Sequence, residues 1–556
     1  MHRLLRDHLP ALPDYPKEAK GPVSPPHLAD GVRIHQPTVQ GEPWVAQRGE
    51  EQYFRIGADL AKLASSLDGV SDASLLAGHL GQPWTQEAVQ TALKSLDHAH
   101  LLARIGDEPE RHRSRLKYVR PLTLQFAVLR SSADVAQKIR SHSFASARTL
   151  ARLAALLGIA GALALVLQGA QIADLLSRPV PVSMLLVIVC AMFFTTVAHE
   201  LGHACVLSHY GGHPGRLGFM LFYFSPAMFC DVSDSWRLTN RQRVHVALAG
   251  ISVQVSVGGA AACAASAAAP GTLKDTLLFF ALSNQVAALV NLLPFVKLDG
   301  YIALMSHLDF PNLRSTALST LRERFVGLLA GSRPEDASER QPAWLPWFGL
   351  ACAITPIALV FRVLGRWLDS LLSLGYVGMS ISAALAGLVV NVSVKGTKHL
   401  RRSLRRNPPR LPRLIALLVA VAALVAAGAS VRVSTSEGAA YSVGPDGQVQ
   451  LLVPAGTAQN VRQGDRVELI SAGLLLHHRV GGATVTAESG KPTPIALSGL
   501  IPVRFDAAKI PGIQYTLHVD KPLPQGIGSA RLNTREVSLP DWIFQRFLKP
   551  FAVPFL

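Results

Sequence analysis

The sequence predicts a mainly α, polytopic membrane bundle of about seven spans, flanked by a small N-terminal winged-helix-like domain and a C-terminal all-β domain. Three observations carry this. The 556-residue chain is 49% hydrophobic with a mean hydropathy of +0.27, too apolar for an ordinary soluble chain of this length. Apolar runs of about 20 residues, each long enough to cross a hydrocarbon core, recur from residue 149 to 432. Beyond residue 433 they give way to short strand-like runs punctuated by Gly and Pro.

Residues 1–32 are rich in Pro and charge and read as a flexible arm; they carry no apolar core of the kind a signal peptide needs. Residues 33–110 read as a small folded domain. Trp44-Val45-Ala46-Gln47 and Gln52-Tyr53-Phe54-Arg55-Ile56 flank Arg48-Gly49-Glu50-Glu51, the pattern of a β-hairpin. Three helical patterns follow, from Ala58 to Leu67, from about Ser71 with Leu75, Leu76 and Leu80, and from about Thr85 with Val89, Leu93 and Leu96. Thr85 ahead of Gln86-Glu87-Ala88 is a helix start with acid in the first turn, where the helix dipole favours it.

Residues 145–432 form the predicted membrane core. The spans fall near 149–169, 179–206, 244–267, 275–296, 346–365, 370–393 and 413–432. The net charge of +17 could suggest a nucleic-acid partner, but its distribution favours topology. Lys395, Lys398, Arg401, Arg402, Arg405, Arg406, Arg410 and Arg413 have no acid among them and lie between the last two spans. Arg237, Arg241 and Arg243 precede the third span, and Arg314, Arg322 and Arg324 follow the fourth. All these loops share one side if the N-terminus is cytoplasmic, as the positive-inside rule requires. Seven spans then place the C-terminal domain outside the cell membrane. No nucleic-acid partner is expected; the lipid bilayer is.

Residues 433–556 carry strand-like runs at Val449–Val453, Val467–Ile470, Ala483–Ala487, Ile501–Phe505 and Ile513–Val519, the pattern of a small barrel or sandwich. Cys190, Cys205, Cys230, Cys263 and Cys352 all lie in the membrane region, so no disulfide is expected in the external domain.

The chemistry is concentrated where the second span ends. No Asp, Glu, Lys or Arg occurs from Pro179 to Ala198, and then His199-Glu200-Leu201-Gly202-His203 follows. Ionisable groups are costly inside a membrane and mark function by default. Two His at i and i+4 share a helix face and can hold one zinc, with the Glu between them as general base. A catalytic zinc usually takes three protein ligands. The best third candidate is Asp299, in Asn291-Leu-Leu-Pro294-Phe-Val-Lys297-Leu298-Asp299-Gly300 at the inner end of the fourth span. In the topology above, spans two and four both run inward, so Asp299 and His203 reach the same depth. The alternative for Asp299 is a solvated loop carboxylate beside Lys297.

His-Glu-x-x-His on one membrane helix with Asn-x-x-Pro-x-x-x-Leu-Asp-Gly on another resembles the site-2 protease family of intramembrane zinc metalloproteases. The resemblance implies that His199, His203 and Asp299 hold one zinc per chain and that Glu200 is the general base. It also implies that Asn291 bonds the substrate or the transition state. Phe229-Cys230-Asp231-Val232-Ser233-Asp234-Ser235-Trp236-Arg237 and Leu298-Asp299-Gly300-Tyr301 are further similar to a bacterial branch of peptide zinc metalloproteases. Many of that branch carry Asn-Pro where this chain has Leu293-Pro294. The N-terminal pattern Phe54-Arg55-Ile56-Gly57, Leu67-Asp68-Gly69-Val70 and Leu96-Asp97 to Leu101-Leu102 resembles the PqqD-like leader-recognition domains of peptide-maturation enzymes. Such domains add an extended leader as a strand to the hairpin edge. Val461-Arg462-Gln463-Gly464-Asp465-Arg466-Val467 is similar to a turn of membrane-fusion adaptor domains.

Together these resemblances imply a bacterial intramembrane zinc endopeptidase that cuts the leader from a ribosomally made, modified peptide, and within that class the branch serving daptide biosynthesis. Residues 217–230 carry no charge; they are too few to span and should present an edge that holds substrate extended. Expected partners are the leader-bearing precursor peptide, the bilayer and, more remotely, an export transporter. Two other readings remain open: a regulatory protease that releases a membrane-tethered transcription factor, and a non-proteolytic export or immunity protein.

Overall fold

The computed structural model describes residues 25–37, 44–48, 52–103, 116–119, 123–129, 131–142, 147–222, 225–310, 312–331, 342–356, 410–454, 461–471, 478–486, 490–496, 509–523 and 526–544, with isolated residues between 356 and 410 and between 471 and 509. The chain divides into two compact units, residues 1–161, 192–260 and 283–313, and residues 162–191, 261–282 and 314–556.

The first unit begins with a three-stranded antiparallel sheet, β1 (Val32–His35), β2 (Trp44–Arg48) and β3 (Gln52–Ile56), in that order. Helices α1 (Ala58–Ser65), α2 (Ala73–Leu80) and α3 (Gln86–His98) follow. The hairpin read from the sequence is β2 and β3; β1 adds a third strand. Leu28 bridges Leu102, and the Ala29 N–H donates to the Leu101 carbonyl at 2.9 Å. Residues 28 and 29, read as part of a flexible arm, thus pair with the end of the domain. Each later helix is started by a side chain that satisfies free amides. Asp72 accepts from the Ser74 and Leu75 amides, and Thr85 from that of Ala88. Leu63, Leu76, Val89 and Leu96 fill the shared core, all at most 1% exposed.

Four helices are long and apolar enough to cross a membrane among the described residues. They lie in α5 (Ala147–Leu167), α7 (Val182–His209), α8 (Asn240–Ala267) and α9 (Thr272–Asn291), with α4 (Ala133–His142) before them and α6 (Gly169–Ser177) after α5. This is fewer than the seven spans expected. Residues 345–356 form a shorter apolar helix, the last expected span falls on a 20-residue apolar helix at Leu411–Ser430, and most of the sixth expected span lies outside the described residues. Within the first unit, α5 and α8 cross closely. A Cβ on Gly161 would overlap the backbone of Gly259, so both must stay small, as tight helix packing in lipid demands.

A four-stranded antiparallel sheet completes this unit, in the order β4 (Leu116–Val119), β5 (Thr123–Leu129), β7 (Leu217–Phe222), β8 (Ser225–Cys230). Residues 217–230 therefore form a hairpin. It is backed by two strands from before the first span, and β8 is the sheet's edge. Phe126 pairs across from Phe219, and the Phe193 ring of α7 stacks on Phe219 at 6.0 Å. After α9, the chain turns through residues 292–298 into α10 (Asp299–His307).

In the second unit α11 (Leu313–Ala330), α12 (Leu345–Pro356) and α13 (Leu411–Ser430) precede the C-terminal strands. β9 (Arg432–Val443), β10 (Val449–Pro454), β11 (Arg466–Ile470), β12 (Arg479–Val485), β13 (Lys491–Ala496), β15 (Lys509–Val519) and β16 (Gly526–Ser538) form one sheet. Its order is β10-β9-β16-β11-β12-β15-β13, and a β10–β15 pairing closes it into a barrel. The core is Leu451, Leu469 and Leu532, all fully buried. Short β14 (Val503–Arg504) pairs in parallel with β6 (Val180–Pro181), just before α7. The Leu476 amide donates to the Leu176 carbonyl at 3.2 Å. The barrel thus joins the segment that links the first two spans.

Candidate metal centre

The site begins with helical spacing. His199 and His203 are four residues apart on α7, so both rings leave the same face. Both are 5% exposed. Asp299, the first residue of α10, meets them from across the unit. His199 Nε2 lies 2.9 Å and His203 Nε2 3.5 Å from Asp299 Oδ2, and the two Nε2 atoms are 3.2 Å apart. His199, His203 and Asp299 form the group able to hold a metal ion among the described residues.

The donor set fits zinc. Four ligands about 2.0–2.1 Å from a tetrahedral ion stand about 3.3 Å from one another, and the three distances here bracket that value. Despite its nearness, Asp299 Oδ2 has no hydrogen bond of acceptable geometry among the described residues. The three atoms lie close enough together to share one ion. The outer contacts fix the ring of His203: its Nδ1 meets the Val246 carbonyl of α8 at 2.7 Å. A backbone acceptor at Nδ1 puts the proton there and leaves the Nε2 lone pair for metal, the usual support for a ligating His. One turn further along α8, Gly250 lets the backbone come against both rings. A Cβ there would stand 2.5 Å from His199 Cε1 and from His203 Nε2.

Glu200 stands beside this cluster. Its carboxylate interacts electrostatically with His199, His203 and Asp299 and accepts a hydrogen bond from the Cys230 backbone amide at the end of β8. That contact aligns the edge strand with the site. The Asp231 N–H donates to the Arg216 carbonyl at 2.8 Å, toward β7. Strand alternation then turns the backbone groups of Met228 and Cys230 the other way, toward the edge that pairs with no further strand among the described residues. Pro226 shares that parity, and an edge is where a strand tolerates Pro.

Asn291, at the end of α9, donates from Nδ2 to Gln254 Oε1 at 3.1 Å. Gln254 is four residues beyond Gly250 on α8 and 4% exposed. A Cβ on Gly300 would strike the Leu292 carbonyl, so the turn after Asn291 folds back onto the residue following Asp299. The sequence reading missed Gln254, Gly250 and Val246. Their spacing of four along one apolar helix, with a Gln inside it, was the available signal. Asp234 is used structurally: it accepts the His213 amide at 2.8 Å and lies 3.3 Å from Arg237 Nη1.

No protein-family model and no solved structure matches the chain. Over 127 residues, 23% of its length, it is 27% identical to a Bacillus subtilis (strain 168) protein provisionally named peptide zinc metalloprotease protein YydH. The alignment takes in 49% of that protein, so the chain spans about half the length of the relative it matches. The donor set and this similarity support the broad class of zinc metalloproteases, here on a chain whose helices are suited to a bilayer.

Proposed function

We propose that this chain is an intramembrane zinc endopeptidase of the site-2 protease kind that cuts the leader from a ribosomally made peptide, within the daptide-maturing branch. One observation carries the reading: a zinc-sized triangle of His199, His203 and Asp299 lies beside Glu200, whose carboxylate is bonded to the end of an open strand edge. When bound, zinc would polarise the scissile carbonyl and make water a better nucleophile. Glu200 takes the proton from the attacking water and returns it to the leaving amine. The free groups of Met228 and Pro226 hold the substrate backbone as an added strand, which keeps the scissile bond extended and stationary. Asn291, oriented by Gln254, has a second N–H to offer the developing oxyanion.

The N-terminal sheet and three helices serve the leader. β3 is an edge of its sheet, so an extended leader can pair with it as a fourth strand. The apolar helices hold the site in the lipid of a bacterial cell membrane, with the N-terminus cytoplasmic. The β6–β14 pairing supports an extracytoplasmic barrel, since the segment between the first two spans faces outward in that topology. An export transporter is the partner to which the barrel would pass product.

The test compares membranes holding wild type or Glu200→Gln with the small precursor encoded nearest this gene, read by mass spectrometry. A leader-sized fragment from wild type alone supports the reading. Intact precursor with both, while a tethered transcription factor is cut, supports the regulatory protease. Unchanged export or immunity in Glu200→Gln supports the non-proteolytic alternative.

A further inference from the structure

The metal site is framed by three helices: α7 with the two His, α8 with Val246 and Gly250, and α10 with Asp299. Two residues past the end of α10 stands Asp309, which has no part in the chemistry above. Its carboxylate takes two arginines at once. Oδ1 lies 2.7 Å from Arg243 Nη2 in the first turn of α8, and Oδ2 lies 2.7 Å from Arg55 Nη1 on β3. Arg243 is 3% exposed, bonded also to Asn240 and set 5.1 Å from the centre of the Trp236 ring. A cation buried to that degree needs its partners held in place, because an uncompensated one is strongly destabilising. Asp309 itself adopts φ +49°, a left-handed conformation that Asp and Asn take more readily than other residues with a side chain.

The bridge leads straight to the metal residues. Arg243 is one turn before Val246, whose carbonyl fixes the His203 ring. Asp299 opens α10, and Asp309 stands two residues past its end. Fixing Asp309 to Arg243 therefore ties the far end of α10 to the near end of α8 and closes the frame around the metal triangle. Arg55 brings the edge strand of the N-terminal sheet into the same bond network.

We propose that Asp309 is a positioning residue that couples β3 of the N-terminal domain to the helices holding the metal ligands, so that the seating of this domain sets how firmly the metal is held. A peptide strand added at β3 then lies on an element fastened to the catalytic frame. The proposal rests on the zinc reading above.

The experiment measures zinc transfer from the purified full-length chain in detergent to a chromophoric chelator. Asp309→Asn removes the charge and keeps a side chain tolerant of left-handed backbone; Arg55→Ala frees the N-terminal strand alone; Arg55→Lys keeps the cation. Outer contacts of metal ligands change affinity about 10–100-fold, so a contact one step further out should speed release about 3–10-fold in Asp309→Asn. Arg55→Ala should show part of that change and Arg55→Lys much less. A purely local structural role would leave Arg55→Ala at the wild-type rate, and that result overturns the proposal even if Asp309→Asn does not fold. Wild type that holds no zinc removes the zinc reading itself, and the coupling with it.

Discussion

Replacing Gly250 by Ala should empty the metal centre without unfolding the helix that carries the change. In a helix interior Ala is favoured over Gly by about 1 kcal/mol, so the local backbone gains stability. The added methyl, however, would stand 2.5 Å from His199 Cε1 and His203 Nε2. Carbon atoms settle about 3.5–4.0 Å apart, so one or both rings must retreat by about 1 Å. Metal ligands are held within about 0.2 Å of their required distances, five times less than that displacement. Losing an outer contact costs about 10–100-fold in metal affinity, and displacing the ligand atoms should cost at least as much, roughly 100-fold or more. A 100-fold loss is about 2.8 kcal/mol. The assay is chelator competition on the purified chain, with circular dichroism to show that helix content is kept. Wild-type zinc affinity in a folded Gly250→Ala chain would refute the placement of α8 against the rings.

Three other outcomes follow. Glu200→Gln should retain zinc at wild-type stoichiometry and lose peptide cleavage, checked by metal analysis alongside mass spectrometry of the precursor. Asn291→Ala should lower kcat about 10²-fold with little change in KM, as loss of an oxyanion donor does elsewhere; an equal loss carried by KM would mean ground-state binding instead. The amides of Ser71 and Val70 and the Ser71 hydroxyl hold the Asp68 carboxyl down at about 2. An unfolded Asp titrates near 3.9, so this contribution is present above about pH 4 and disappears as pH falls toward 2. The N-terminal domain of Asp68→Asn should accordingly show a flatter acid limb in chemical unfolding between those values, and an unchanged limb would contradict the turn's role.

The legible parts of the sequence were those with strong local periodicity. His199 and His203 needed only the helical repeat to share a face, and the uncharged stretch before them marked the depth. Asp299 was found by reasoning about span direction, and the structure brings it to both rings. Five of the C-terminal strands overlap the strand-like runs, but β9, β13 and β16 were not read. β13 carries Pro492 and Pro494, which argue against a strand unless it lies at an edge, where this one does. β5 escaped because it pairs with β7 across about 90 residues of intervening chain, and β4 because it is a strand only by pairing with β5. Gln254 and Gly250 escaped for a similar reason. A small residue and an amide on an apolar helix acquire meaning only from what packs against them. The first four expected spans coincide with the four long apolar helices, the last falls on the helix Leu411–Ser430, and most of residues 357–409, where the fifth ends and the sixth lies, fall outside the described residues.

X-ray absorption at the zinc edge of the purified chain tests the central claim most directly. The account predicts first-shell nitrogen and oxygen near 2.0–2.2 Å, the imidazole signature of two His, and no sulfur. Sulfur near 2.3 Å would bring Cys205 or Cys230 into the shell, and the His199, His203 and Asp299 centre would be contradicted.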